Sequence, residues 1–150
     1  MISSEPIFRI HCEVANILDL GPAPFGHRRV VNLLGGTVSG AKLSGRILPG
    51  GADWQIMAAD GSLDIHARYT IESDAGALIQ VDSRGLRTGP PEVLARLGRG
   101  EDVDPKLYYF RTAMRFATAR PSAAWLNRIL ALAKGAREKN AVKLEVYEVL

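Results

Sequence analysis

The 150-residue chain is 47% hydrophobic and 23% charged, carries a formal net charge of +3 and has a single cysteine. That balance excludes a disordered, collagenous or disulfide-stapled chain and fits one hydrophobic core, hence one domain over residues 1–150. The basic residues are scattered through Arg28, Arg29, Arg84, Arg87, Arg96, Arg99, Lys134 and Lys139 with no recognition helix or stacking motif, so no nucleic-acid partner is expected.

In chain order, residues 7–14 (IFRIHCEV) alternate cleanly. Phe8, Ile10, Cys12 and Val14 form an apolar face, which predicts a half-buried strand with His11 on the outside and Cys12 as a small buried hydrophobe. Residues 21–29 (GPAPFGHRR) read as a loop before the strand-like run RVVNLLGGTVSG, whose Gly35–Gly36 pair predicts a bend, a bulge or a close backbone approach. In GRILPGGADW, residues 45–54, Pro49, Gly50 and Gly51 predict a turn between strands, with Gly50 at positive φ. Asp60–Gly61 is a second turn signal, and residues 63–82 form a hairpin around Asp74–Gly76. Residues 90–98 open on proline and predict a short helix ending near Gly98 or Gly100. From Leu107 to Thr118 the alternation returns, with Tyr108, Phe110, Thr112, Met114 and Phe116 on the core face. Pro121–Ser122 favours a short helix before a strand, and Lys143–Val149 is the closing strand. The sum is an all-β fold, a small antiparallel β-barrel of roughly eight to ten strands with one or two short helices.

No apolar run approaches the roughly 18 residues of a membrane helix and no signal peptide is evident, so a cytoplasmic protein with no membrane partner is expected. No nucleotide fingerprint, phosphate loop, nucleophile elbow or paired-cysteine zinc site occurs. The three histidines, His11, His27 and His66, have no metal-selecting spacing, so neither a metal nor a cofactor is expected.

Asp53 and Trp54 stand out because a carboxylate beside an indole suits a ligand, the first by accepting a hydrogen bond and the second by stacking. The competing reading has Asp53 fastening the Pro49–Gly51 turn and Trp54 plugging the barrel. Arg68 and Tyr69 point to opposite faces of a strand. If Arg68 is internal it needs a carboxylate such as Asp53; if Tyr69 is internal, Arg68 anchors the outer face. Tyr109, Arg111 and Arg115 form a polar face that is either solvated or the wall of an acidic-ligand pocket, where arginine would grip a carboxylate bidentately.

Taken together, GRILPGGADW, DGSLDIHARYTI, ESDAGALIQVDSRG, YYFRTAMRF, AWLN and VKLEVYEVL resemble the family UPF0311, domain of unknown function 3237, from about residue 7 to the end. The resemblance implies a small β-barrel of unassigned general function, with Asp53, Trp54, Arg68, Tyr69, Tyr109, Arg111 and Trp125–Asn127 at family-like positions. Ser39–Ala41 and Asp74–Gly76 depart from the family pattern, the second by losing a carboxylate near the hairpin. The resulting expectation is a small-molecule-binding barrel, an isomerase, cyclase or lyase for an acidic or aromatic metabolite. Asp53, Arg68 and Tyr109 are the candidate catalytic set: Asp53 as acid or base, Tyr109 as proton relay and Arg68 as anion stabiliser. Trp54, Tyr69, Arg111, Arg115 and His66 are candidate ligand contacts. The rival is a non-enzymatic structural or interaction barrel that forms a homodimer through an outer sheet face.

Overall fold

The computed structural model describes residues 1–150, which form ten strands, one α-helix and two 3₁₀ segments. The strands are β1 (Phe8–Val14), β2 (Leu18–Asp19), β3 (His27–Ser39), β4 (Gly45–Ile47), β5 (Ala52–Met57), β6 (Leu63–Ser73), β7 (Leu78–Thr88), β8 (Tyr109–Ala117), β9 (Ala131–Arg137) and β10 (Ala141–Glu148). All pairings are antiparallel, and β1 pairs with both β10 and β3, so the sheet closes on itself. Closure removes the free edges that an open sheet of this size would expose.

Two staves of the barrel are interrupted strands. The long β3 pairs with β1 through its second half and with β2 through its first. On its other side it pairs with β4 and then β5, and both of these also pair with β6. The Pro49–Gly51 turn is therefore a break within one stave: the Leu48 N–H donates to Thr70 O and Gly51 O accepts from the Leu33 N–H, both at 2.9 Å. Gly50 has φ 107°, as the turn reading requires. Where β1 meets β3 the register shifts between Glu13 and Val14, skipping Leu34 just before Gly35–Gly36, which is the expected bulge.

The β6–β7 hairpin runs further than the sequence suggested. Pairing extends from Glu72–Leu78 to Leu63–Arg87, so the polar residues after Asp82 stay in the sheet between β6 and β8. Residues 121–128, expected as a helix, form a 3₁₀ segment, and β9 follows as expected.

The two barrel ends are closed differently. At one end the 3₁₀ segment Pro121–Arg128 inserts Ala123 and Leu126, the latter fully buried, over Phe8, Ile71, Ile79 and Phe116. Burying a leucine this way contributes about 2 kcal/mol. Asn127 fastens this plug: its Oδ1 accepts from the Thr118 N–H at 2.9 Å and its Nδ2 donates to Thr118 O at 2.8 Å. At the other end, α1 (Pro91–Gly98) follows β7 and buries Val93, Leu94 and Leu97, one face of an amphipathic turn. No helix is long and apolar enough to cross a membrane.

Strand coiling brings the β7 and β8 backbones so close at Gly85 that a Cβ there would lie 1.9 Å from Arg111 O, whereas Gly98 faces open space. Gly85→Ala should cost roughly 3 kcal/mol of unfolding free energy, and Gly98→Ala should be neutral or stabilising by up to about 1 kcal/mol. Urea denaturation of both variants checks this; equal stabilities would contradict the close approach.

Candidate functional site

Alternation decides what enters the lumen. On β3 the inward residues are Arg29, Val31 and Leu33; on β5 they are Asp53, Gln55 and Met57. On β7, Ser83, Gly85 and Arg87 continue the inward row of Ile79 and Val81, and on β9 Arg137 continues Ala131, Ala133 and Gly135. The end of the barrel nearest α1 therefore collects Arg29, Arg87 and Arg137 around the carboxylate of Asp53, with the exposed Asp19 of β2 also close to Arg29.

One part of this cluster is a fixed relay. Arg29 donates from Nε and Nη2 to Gln55 Oε1 at 3.1 and 2.8 Å, and Gln55 Nε2 donates to Asp53 Oδ2 at 2.8 Å. The amide's two ends thus have opposite jobs, which fixes its orientation. The backbone N–H of His66 donates to Asp53 Oδ1 at 3.2 Å. Burial pushes the Asp53 carboxyl above the ordinary carboxylate range, although the Gln55 and His66 hydrogen bonds and the nearby charges of Arg87 and Arg137 pull the other way. Burial, reinforced by repulsion from Arg29 and Arg137, lowers Arg87 to about 10, which still leaves it protonated at neutral pH.

The other part is unsatisfied. Arg87 Nε and Thr112 Oγ1 are buried without a hydrogen-bond partner, as is Tyr69 Oη, whose titratable neighbour is Cys12 and not the arginines. Such atoms are uncommon in folded proteins and each costs about 1–3 kcal/mol. Inward-facing Asp53, Met57, Ala67, Arg137 and Val142 are only half-buried, so this end of the lumen retains solvent-accessible surface. The lining is small on one side: β9 points Ala131 and Ala133 inward and leaves Leu130 and Leu132 outside, 54% and 42% exposed.

Of the candidate residues read from the sequence, Asp53 and Tyr69 face the interior. Tyr69 is buried, with its phenol held well above its ordinary range by burial. The others lie on the outer wall. Trp54 is 56% exposed, so it neither plugs the barrel nor joins Asp53 in the lumen. Arg68 lies 3.7 Å from Asp82, so the internal Arg68–Asp53 pair does not form; with Tyr69 inside, Arg68 is an outer anchor. The His66 ring also faces Asp82, with Nε2 3.1 Å away. Tyr109 is exposed beneath the guanidinium of Arg111, 5.1 Å from its ring centre, and Arg115 is exposed on the same face. These groups are separated from Asp53 by the barrel wall, because consecutive strand residues point to opposite faces. Cys12 is buried, and its thiol is pushed up to about 11, mainly by desolvation. No group of three or more histidine, cysteine or acidic side chains is placed to hold a metal.

Arg29, Gln55, Arg87, Arg137 and Thr112 were not among the candidates. Their sequence signal is a polar residue in phase with an apolar face: Arg29 with Val31 and Leu33, Arg87 with Ile79 and Val81. The largest surface depression, about 710 Å³, lies elsewhere, on the outer wall over Arg9, His11, Lys134 and Lys143. Arg9 and Lys143 there are exposed and already paired with Glu145 and Glu138.

A family model described as "Protein of unknown function (DUF3237)" matches residues 2–149. The chain belongs to this family. Among its relatives, the UPF0311 protein of Rhodopseudomonas palustris is 39% identical over 99% of this chain and 97% of its own length, and that of Clostridium acetobutylicum is 36% identical over 97% and 92%. The crystal structure of the R. palustris conserved protein of unknown function superposes with a TM-score of 0.92 at 38% identity, covering 100% of this chain and 98% of that one. A beta-barrel like protein from Acinetobacter baumannii gives 0.84 at 41% identity over 99% and 96%. More distantly, a crystal structure of an enzyme from Penicillium herquei shares the fold at TM-score 0.67 and 18% identity, over 96% of both chains. For this DUF3237 barrel the AWLN signature is structural: Leu126 and Asn127 build the plug, and Trp125 carries Lys42 Nζ 4.3 Å from its ring centre.

The raised Asp53 carboxyl has a stability signature. Its neutral form favours the folded state, fully so below the unfolded value near 3.9, and that contribution is lost as pH rises through the folded value. Asp53→Asn should therefore gain melting temperature relative to wild type as pH is raised from about 4 to about 7. Thermal unfolding of both proteins checks this, and a constant or reversed difference would contradict a raised carboxyl.

Proposed function

We propose that this barrel binds a small organic molecule at the α1 end of its lumen and moves a proton at Asp53, in isomerase, cyclase or lyase chemistry. The observation that carries the reading is the Asp53 carboxyl itself: enclosed, oriented by Gln55 and the His66 N–H, and held above its ordinary range beside protonated guanidinium groups. A carboxyl shifted toward neutrality suits general acid–base work, and adjacent fixed cations stabilise the anion that forms when a C–H or O–H proton leaves. That a distant barrel of the same fold is described as an enzyme is compatible with this architecture supporting catalysis.

A second reading, a self-associating barrel without chemistry, is favoured by Tyr109 and Leu132, exposed apolar groups that share one outer depression with Ile2. One experiment separates them. In D2O, the protein is incubated with a panel of enolisable ketones, keto acids and phenols, and deuterium incorporation is followed by NMR. The proton-transfer reading expects catalysed exchange for at least one class, falling by about 10²–10⁴-fold in Asp53→Asn. Equal exchange by wild type and variant removes Asp53 from the chemistry. No catalysed exchange, together with a dimer that Leu132→Lys dissociates, supports the second reading.

A further inference from the structure

Arg87 is 5% exposed, and none of its guanidinium nitrogens donates a hydrogen bond or lies within ion-pair distance of a carboxylate. Buried arginine ordinarily appears with a matched anion, because its donors and its charge both lose water on burial. The carboxylate in the neighbourhood, Asp53, is already engaged by Gln55 and the His66 N–H. Arg29 spends two donors on Gln55. Arg137 makes a single side-chain contact, 3.5 Å from Nη1 to Ala141 O, while its backbone N–H is taken by Tyr108 Oη at 2.9 Å. Three guanidinium groups thus face Asp53, with the exposed Asp19 also near Arg29, and Arg87 and Arg137, which meet no side-chain acceptor, have the most donors to spare. Across the β7–β8 pairing from Arg87 lies Phe110, and the unpartnered Thr112 hydroxyl is the next inward position along β8.

From this arrangement we infer that Arg87 and Arg137 form an oxyanion anchor for the carboxylate of an organic ligand whose apolar body lies against Phe110. Two planar guanidinium groups present fork-shaped donors that suit the two oxygens of a carboxylate, and an anion there also offsets the surplus positive charge. This rests on the reading of the lumen as a small-molecule site, but not on any reaction: the anchor works whether or not Asp53 moves a proton.

The test is equilibrium binding by calorimetry and thermal shift with benzoate, its uncharged twin benzamide, and inorganic phosphate, using wild type, Arg87→Met, Arg87→Lys and Asp53→Asn. Benzoate should bind at least about tenfold more tightly than benzamide, as expected when a charge-assisted contact is lost. Arg87→Met should lose that preference, with Arg87→Lys between the two. Arg87→Met should melt no lower than wild type without ligand, since it removes an unpaired buried charge, so loss of binding is not loss of fold. Asp53→Asn should bind benzoate as well as or better than wild type, even if it abolishes all proton exchange. Phosphate binding as tight as benzoate would replace the organic acid by a simple oxyanion and overturn the carboxylate assignment. The anchor itself is overturned if benzoate and benzamide bind alike, if neither binds at millimolar concentration, or if Arg87→Met binds benzoate as wild type does.

Discussion

Three arginines turned into a barrel around the inward carboxylate of Asp53, with only the exposed Asp19 besides, are a constraint that the rest of the molecule has to accommodate. Two like charges about 6 Å apart at an effective dielectric near 20 repel by about 3 kcal/mol, and burial adds a desolvation cost for each. In this chain the cost is visible in both signs: Arg87 is driven down and Asp53 is driven up, each chiefly by burial. Asp53 offsets part of this cost for the arginines and they for it, but not the burial of Arg87, whose guanidinium has no partner. Sites of this kind are where proteins concentrate perturbed groups for use on a ligand.

The fold tolerates the cluster by dividing its interior. At the end sealed by Pro121–Arg128, the core is apolar and closely packed, with Phe8 and Phe116 edge to face at 5.9 Å and Leu126, Ile71 and Val146 fully buried. The opposite end carries the polar cluster: Arg87 Nε and Thr112 Oγ1 lack partners there, and α1 covers the opening with Val93, Leu94 and Leu97. Barrel closure connects the halves, because all strands on both sides of the polar end are hydrogen-bonded around the ring.

The all-β class, the closed barrel, the Pro49–Gly51 turn and the inward face of β1 were legible in the sequence, because period-two alternation and turn chemistry are local signals. The family was legible from the ordered run of segments and is borne out by a match over residues 2–149. Of the candidate cluster, Asp53 was legible in the sequence, and Tyr69 was legible as an interior residue outside it. Trp54, Arg68, Tyr109, Arg111 and Arg115 attracted attention as chemically capable side chains, yet their alternation places them on the outer wall. Conversely, both faces of β9 are apolar, Ala131 and Ala133 on one and Leu132 on the other, and the structure turns the alanines inward: Ala131 and Ala133 are 1% exposed while Leu130 and Leu132 face solvent. A pattern of alternation fixes which residues share a face but not which face is inside when both are apolar. Arg29, Arg87 and Arg137 come from β3, β7 and β9, and their convergence depends on strand order and register that no local window contains.

The most direct measurement is a ¹³C-carboxyl NMR titration of Asp53 in wild type and in Arg87→Met. A midpoint above the ordinary aspartate value of about 3.9, rising further when the Arg87 charge is removed, is the result expected of a carboxyl whose burial outweighs the cations around it. A wild-type midpoint at or below that value would contradict the central claim, because it would mean that the arginines are already neutralised by Asp53 and that the lumen has no positive charge to spare.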